Sequence, residues 1–133
     1  MTRLYTLPAL ILLLLGAAAC DSNGIGSDSG YQVTYTVTAT GEGSVDALSY
    51  RDADGAQQTV AHPALPWSRH LAMRSGDRAW ISVDGTALSG VFKVALQAIS
   101  DDNVINLNTG CPTGTDEVYP KTCNNLSVER RLP

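Results

Sequence analysis

Histidine, clustered basic residues and bulky aromatic side chains are what this chain has least of. Only His62 and His70 carry imidazoles, so the side chain that most often serves as general base or metal ligand is nearly missing. No CxxC pair occurs and neither His lies near a cysteine in sequence, which argues against a structural zinc site. No G-x-S-x-G elbow is present, and Ser75-Gly76 and Ser89-Gly90 read as turns, without a base placed to activate a nucleophile. Nine Lys and Arg stand against thirteen Asp and Glu, a formal net charge of −4. The sole basic cluster is Arg130-Arg131, far short of the basic face that nucleic acid requires. Asp52-x-Asp54-Gly55 has the opening of a calcium loop but lacks the further oxygen ligands and the closing Glu. Asp101-Asp102-Asn103 reads as a solvated turn. No catalytic residue, metal site or cofactor follows, and the chain reads as a non-enzyme.

What is present begins with an address. Met1-Thr2-Arg3 carries one positive charge, and a twelve-residue, mainly apolar run from Leu4 to Leu15 follows. Gly16-Ala17-Ala18-Ala19-Cys20 comes next. A basic start, a short apolar core and small residues before a cut site make an export signal. The run is shorter than the ~20 residues that span a bilayer, and Asp21 blocks its extension. Ala17-Ala18-Ala19-Cys20 resembles the bacterial lipobox, in which a Cys that receives diacylglycerol becomes the first mature residue. Ala17 stands where that motif usually has Leu. The alternative is an ordinary signal peptide cut after an A-x-A pattern, with Cys20 a free thiol. Three Cys occur, and an odd number in an exported chain calls for an explanation. Lipidation of Cys20 supplies one. The expected organisation is therefore a signal peptide over residues 1–19, lipidated Cys20 with a Gly/Ser/Asp linker to residue 30, and one domain over 31–133. Ten linker residues reach about 17 Å as a coil, so the domain would stand close to the membrane.

From Tyr31 the pattern changes to period two. Tyr31, Val33, Tyr35, Val37 and Ala39 share one face, and Gln32 with four Thr share the other, the signature of a half-buried strand. Further strands are expected over Val45–Arg51, Gln57–His62, Trp67–Met73, Arg78–Asp84, Val91–Ile99 and Val104–Asn108, with a short last one over Leu126–Arg131. Asp54-Gly55 supplies a turn, and Pro63 and Pro66 mark an edge or a crossing between sheets. Seven or eight short antiparallel strands indicate an all-β sandwich. One Phe, two Trp and five Tyr make a small core, which a cross-link would help. Cys111 and Cys123 flank a Pro/Gly/Thr-rich loop, and an oxidising compartment favours their pairing; the alternative is two free thiols. Trp67 is expected in the core. Trp80 alternates with Ala79 and Ile81 and so faces the other way, as a rim or ligand-facing aromatic.

Three segments together resemble a family: Tyr31-x-Val33-Thr34-Tyr35-x-Val37, Ser49-Tyr50-Arg51-Asp52-Ala53-Asp54-Gly55 and Leu65-Pro66-Trp67-Ser68. They are similar to the opening strand, the Tyr-x-Asp-x-x-Gly hairpin and the Leu-Pro-Trp segment of small exported proteins of the MmpS type, over about Tyr31 to Val83. The resemblance implies an immunoglobulin-like β-sandwich and a periplasmic accessory role beside large RND-type transporters. The family keeps an uncleaved transmembrane helix where this chain has a lipobox. The expected function is thus a non-catalytic, lipid-anchored binding or accessory module of the cell envelope, meeting a protein partner through a strand edge or face. The second reading is a small-ligand or carbohydrate-binding sandwich that uses Trp80 and loop residues.

Overall fold

The computed structural model describes residues 30–113 and 118–133. The signal, Cys20 and the linker to residue 29 lie outside the described residues, as do residues 114–117. The described chain is all-β: β1 (Gly30–Ala39), β2 (Gly43–Arg51), β3 (Gln57–Ala61), β4 (Trp67–Arg74), β5 (Arg78–Ala87), β6 (Phe92–Ile99), β7 (Val104–Cys111) and β8 (Lys121–Arg131). They form two four-stranded antiparallel sheets, ordered β4-β1-β6-β7 and β3-β2-β5-β8. The sheets pack face to face as a β-sandwich.

Alternation decides which side chains lie between the sheets. In β1, Tyr31, Val33, Tyr35 and Val37 are buried, and in β6 so are Phe92, Val94, Leu96 and Ala98. Their register pairs like with like: Val33 faces Ala98, Tyr35 faces Leu96 and Val37 faces Val94. The second sheet contributes Leu48, Tyr50, Ala79, Ile81, Val83 and Val128. Burial of this apolar area, at about 25 cal/mol per Å2, is the main force holding the layers together. On the outer face of the first sheet the intervening Thr34, Thr36, Gln97, Asn106 and Asn108 meet water.

Several strands run further than their sequence patterns indicate. β5 continues past Asp84 to Ala87, β7 continues to Cys111, and β8 begins at Lys121. The interruption at Asp84 is a bulge, not an end. β2 pairs Val45 with Gly85 and then Ala47 with Asp84, leaving Asp46 extra. β8 pairs Leu126 with Val83 and Cys123 with Gly85, so Asn124 and Asn125 oppose Asp84. The irregularities sit at one level across three strands, a line along which the sheet bends. Asn125 takes φ 52°, a left-handed conformation that Asn tolerates. Its N–H donates to Asp84 Oδ1 at 2.6 Å, and Ser82 Oγ donates to its Oδ1 at 3.0 Å.

Between β3 and β4 the chain crosses from one sheet to the other through His62–Pro66. At the opposite side, Cys111 of β7 and Cys123 of β8 are joined by a disulfide, with Cα atoms 6.0 Å apart. One covalent bond thus ties an edge of the first sheet to an edge of the second.

Candidate functional site

Three aromatic rings bridge the layers. Tyr35 of β1 contacts Tyr50 of β2 with ring centroids 5.8 Å apart, and Tyr50 contacts Trp67 of β4 at 5.5 Å, both pairs tilted. Trp67 therefore packs against the core, as its place in the Leu-Pro-Trp segment implies. The Tyr35 ring is fully buried, so its hydroxyl needs partners. It donates to the Arg51 carbonyl at 3.0 Å and accepts the Trp80 N–H at 3.1 Å. The β2–β5 ladder ends at the pair Tyr50–Ile81. The hydroxyl from the facing sheet stands one residue beyond, holding both strand ends. Burial pushes the Tyr35 phenol up to about 12, although the hydrogen bond from Trp80 works against that rise.

Trp80 lies in β5 between fully buried Ala79 and Ile81 and is itself only half-buried. It faces outward as alternation requires, opposite Glu129 of β8. It lines none of the three concavities described below.

The histidines sit on different elements. His70 is exposed in β4, where Nδ1 and Thr34 Oγ1 lie 2.9 Å apart. His62 follows β3 with φ 47°, its N–H donating to the Asp46 carbonyl at 3.0 Å. Among the described residues no group of three or more His, Cys, Asp or Glu is placed to hold a metal ion. The calcium-loop opening at Asp52 is a self-closing turn. Asp52 Oδ1 accepts the N–H groups of Asp54 and Ala56, and Oδ2 accepts from the Gln58 amide at 2.8 Å. The Gln58 bond, with the two backbone bonds, holds the exposed Asp52 carboxyl below its usual range. Gly55 completes the turn at φ 79°.

Two shallow concavities flank the β3–β4 crossing. One, of about 550 Å3, is lined by Thr38, Glu42, Leu65 and Pro66; the other, of about 350 Å3, by Ser44, Val45, His62 and Pro63. They share Gly43 and Leu65, and so form one groove beside the crossing. A third, of about 340 Å3, lies on the outer face of the first sheet above Ala95, between Thr36, Lys93, Gln97 and Asn108. Its polar atoms are hydroxyls, amides and one ammonium, which offer hydrogen bonds and no paired carboxylates for acid–base chemistry.

Four strands end the two sheets, and their edges differ. β3 is short, at five residues. β4 carries Arg69, His70 and Arg74. β8 carries Lys121, Glu129, Arg130 and Arg131 and is bulged. Short length, charge and bulges are the devices that keep edge strands from pairing with other chains. β7, Val-Ile-Asn-Leu-Asn-Thr-Gly-Cys, has no charge and no Pro, and its register with β6 is unbroken. The sequence offers Trp80 as a rim or ligand-facing aromatic and a strand edge or face as the protein contact; it does not single out β7, whose signal is the run of eight residues without a charge.

The chain matches no protein-family model and no curated protein.

Proposed function

We propose that this protein is a lipid-anchored module of the cell envelope that works by binding another macromolecule through its sandwich, without catalysis of its own. The observation that carries the reading is the Cys111–Cys123 disulfide. It accounts for two of the three cysteines and suits an oxidising, extracytoplasmic compartment. That leaves Cys20 for the thioether to diacylglycerol, behind an export signal and small residues. Two or three acyl chains together hold a domain at a bilayer far more firmly than one. A sheet edge without protective charge gives such a domain a means of recognition through main-chain hydrogen bonds. The MmpS-like segments make a transporter of the same membrane one specific partner.

Two measurements test this reading. Labelled palmitate should enter the wild type and be absent from Cys20→Ala; equal labelling of both would remove the anchor. Affinity capture of the tagged protein from membranes should recover an envelope protein, and recovery at background level would remove the accessory role. The second reading, a glycan or small ligand, draws on the hydroxyl- and amide-lined concavity above Ala95. Alanine at Lys93 and Gln97 should abolish glycan binding if that reading holds.

A further inference from the structure

We infer that the β7 edge is a self-recognition surface, on which a second copy of this chain pairs antiparallel so that two four-stranded sheets become one of eight. The inference rests on the proposed role as a binding module and names its partner. β7 is the outermost strand of its sheet, hydrogen-bonded to β6 alone in the sheet order. Among the described residues, no backbone hydrogen bond outside that ladder involves Val104–Gly110. The connection after β7 leaves from its Cys111 end: the Tyr119 hydroxyl donates to the Gly90 carbonyl at 2.7 Å, beside the start of β6. The described part of that connection therefore crosses the end of the sandwich and leaves the Val104–Asn108 edge uncovered. Val104 is 59% exposed, and its cross-strand partner Ile99 is 41% exposed. An apolar pair thus adjoins the bare edge.

Charge and parity select a second copy. A chain of formal net charge −4 repels its own kind except where the contact is neutral, and of the two edge strands without a charge, β7 has eight residues where β3 has five. Paired antiparallel strands place facing residues on the same side of a sheet. With the two-fold axis at Asn106 that amide meets its own counterpart, and with the axis at Leu107 the outward Asn106 of each copy faces Asn108 of the other. An amide both donates and accepts, so it complements itself. With the axis at Asn106, half-buried Ile105 faces Leu107 of the other copy, and with the axis at Leu107 that leucine faces itself, so in both registers the apolar layer is extended. The same geometry carries the acidic turn Asp101-Asp102, just before β7, to the far end of the other copy's β7. There Gly110 is paired with Lys93, so opposite charges approach.

Cysteine scanning of the intact protein in its own membrane tests this. Under mild oxidation, Asn106→Cys or Leu107→Cys should give a covalent dimer on a non-reducing gel, with the yield falling on either side of the axis. Ser68→Cys, on the cationic β4 edge, should give none. Adding Asn108→Lys to the responsive variant should abolish the dimer while circular dichroism stays unchanged. Absence of dimer from both β7 cysteines, or equal dimer from Ser68→Cys, would overturn the inference, as would a photo-cross-linker at Asn106 capturing only a different protein. These outcomes are read independently of palmitate labelling, so self-pairing and the anchor fail or stand separately.

Discussion

Tyr35 shows how one polar atom can join two layers. Its ring is core, yet its hydroxyl completes the hydrogen bonding of the facing sheet at Arg51 and Trp80. Tyr35→Phe keeps the ring and leaves a part-buried carbonyl and a part-buried N–H without that partner. We expect a loss of about 1–3 kcal/mol, measured as a lower urea midpoint with unchanged slope. The phenol also sets a pH dependence. Below pH 10 both folded and unfolded chains hold the proton. Between the ordinary value of 10.0 and about 12 the unfolded chain ionises first, so stability present below pH 10 is lost as pH rises through that window. The loss is about 2–3 kcal/mol. Wild type should therefore unfold in alkali more steeply than Tyr35→Phe, as followed by circular dichroism; parallel curves would contradict this.

At the scale of elements, most of the sandwich is legible in the sequence because period two is a strong signal. β1 and β6 alternate without fault, and every inward residue from Tyr31 to Val37 and from Phe92 to Ala98 is buried. Asp54-Gly55 gives its turn and the Leu-Pro-Trp segment its crossing. What is hidden is where a strand continues through an irregularity. Asp84-Gly85 looks like an end because a charge and a glycine interrupt the alternation, yet the ladder resumes on both sides. The reason is steric. A Cβ on Gly85 would lie 2.5 Å from the Ser44 carbonyl oxygen, so the glycine permits the neighbouring strand to approach at the bend. Gly85→Ala should cost about 1–3 kcal/mol by overpacking, seen as a lower melting temperature. The early part of β8 was equally hidden, since Lys121–Asn125 contains a single apolar residue, Cys123. The edge character of β7 could be read only once the strand order was known. An uncharged run is unremarkable in a central strand and consequential in an outer one.

For the whole molecule, one bond outweighs its size. Cys111–Cys123 joins residues 12 apart in the sequence and ties edge to edge two sheets that otherwise meet through packing, the Tyr35 hydroxyl and the chain connections. On the chain-entropy model such a closure contributes about 3 kcal/mol. For a domain near a hundred residues this corresponds to a melting temperature lower by roughly 10–20 °C when both cysteines are replaced by Ala, and to a similar fall on reduction of the wild type. A fall confined to a degree or two would mean that the remaining contacts hold the sheets without it. The same bond supports the proposed envelope anchor, because it leaves Cys20 as the cysteine without a disulfide partner.

The measurement that bears most directly on that account is the intact mass of the protein extracted from membranes, taken before and after reduction and alkylation. The account predicts a chain beginning at Cys20 that carries acyl groups, with no thiol to alkylate before reduction and alkylation at Cys111 and Cys123 alone after it. An unacylated chain, or alkylation of Cys20, would contradict it.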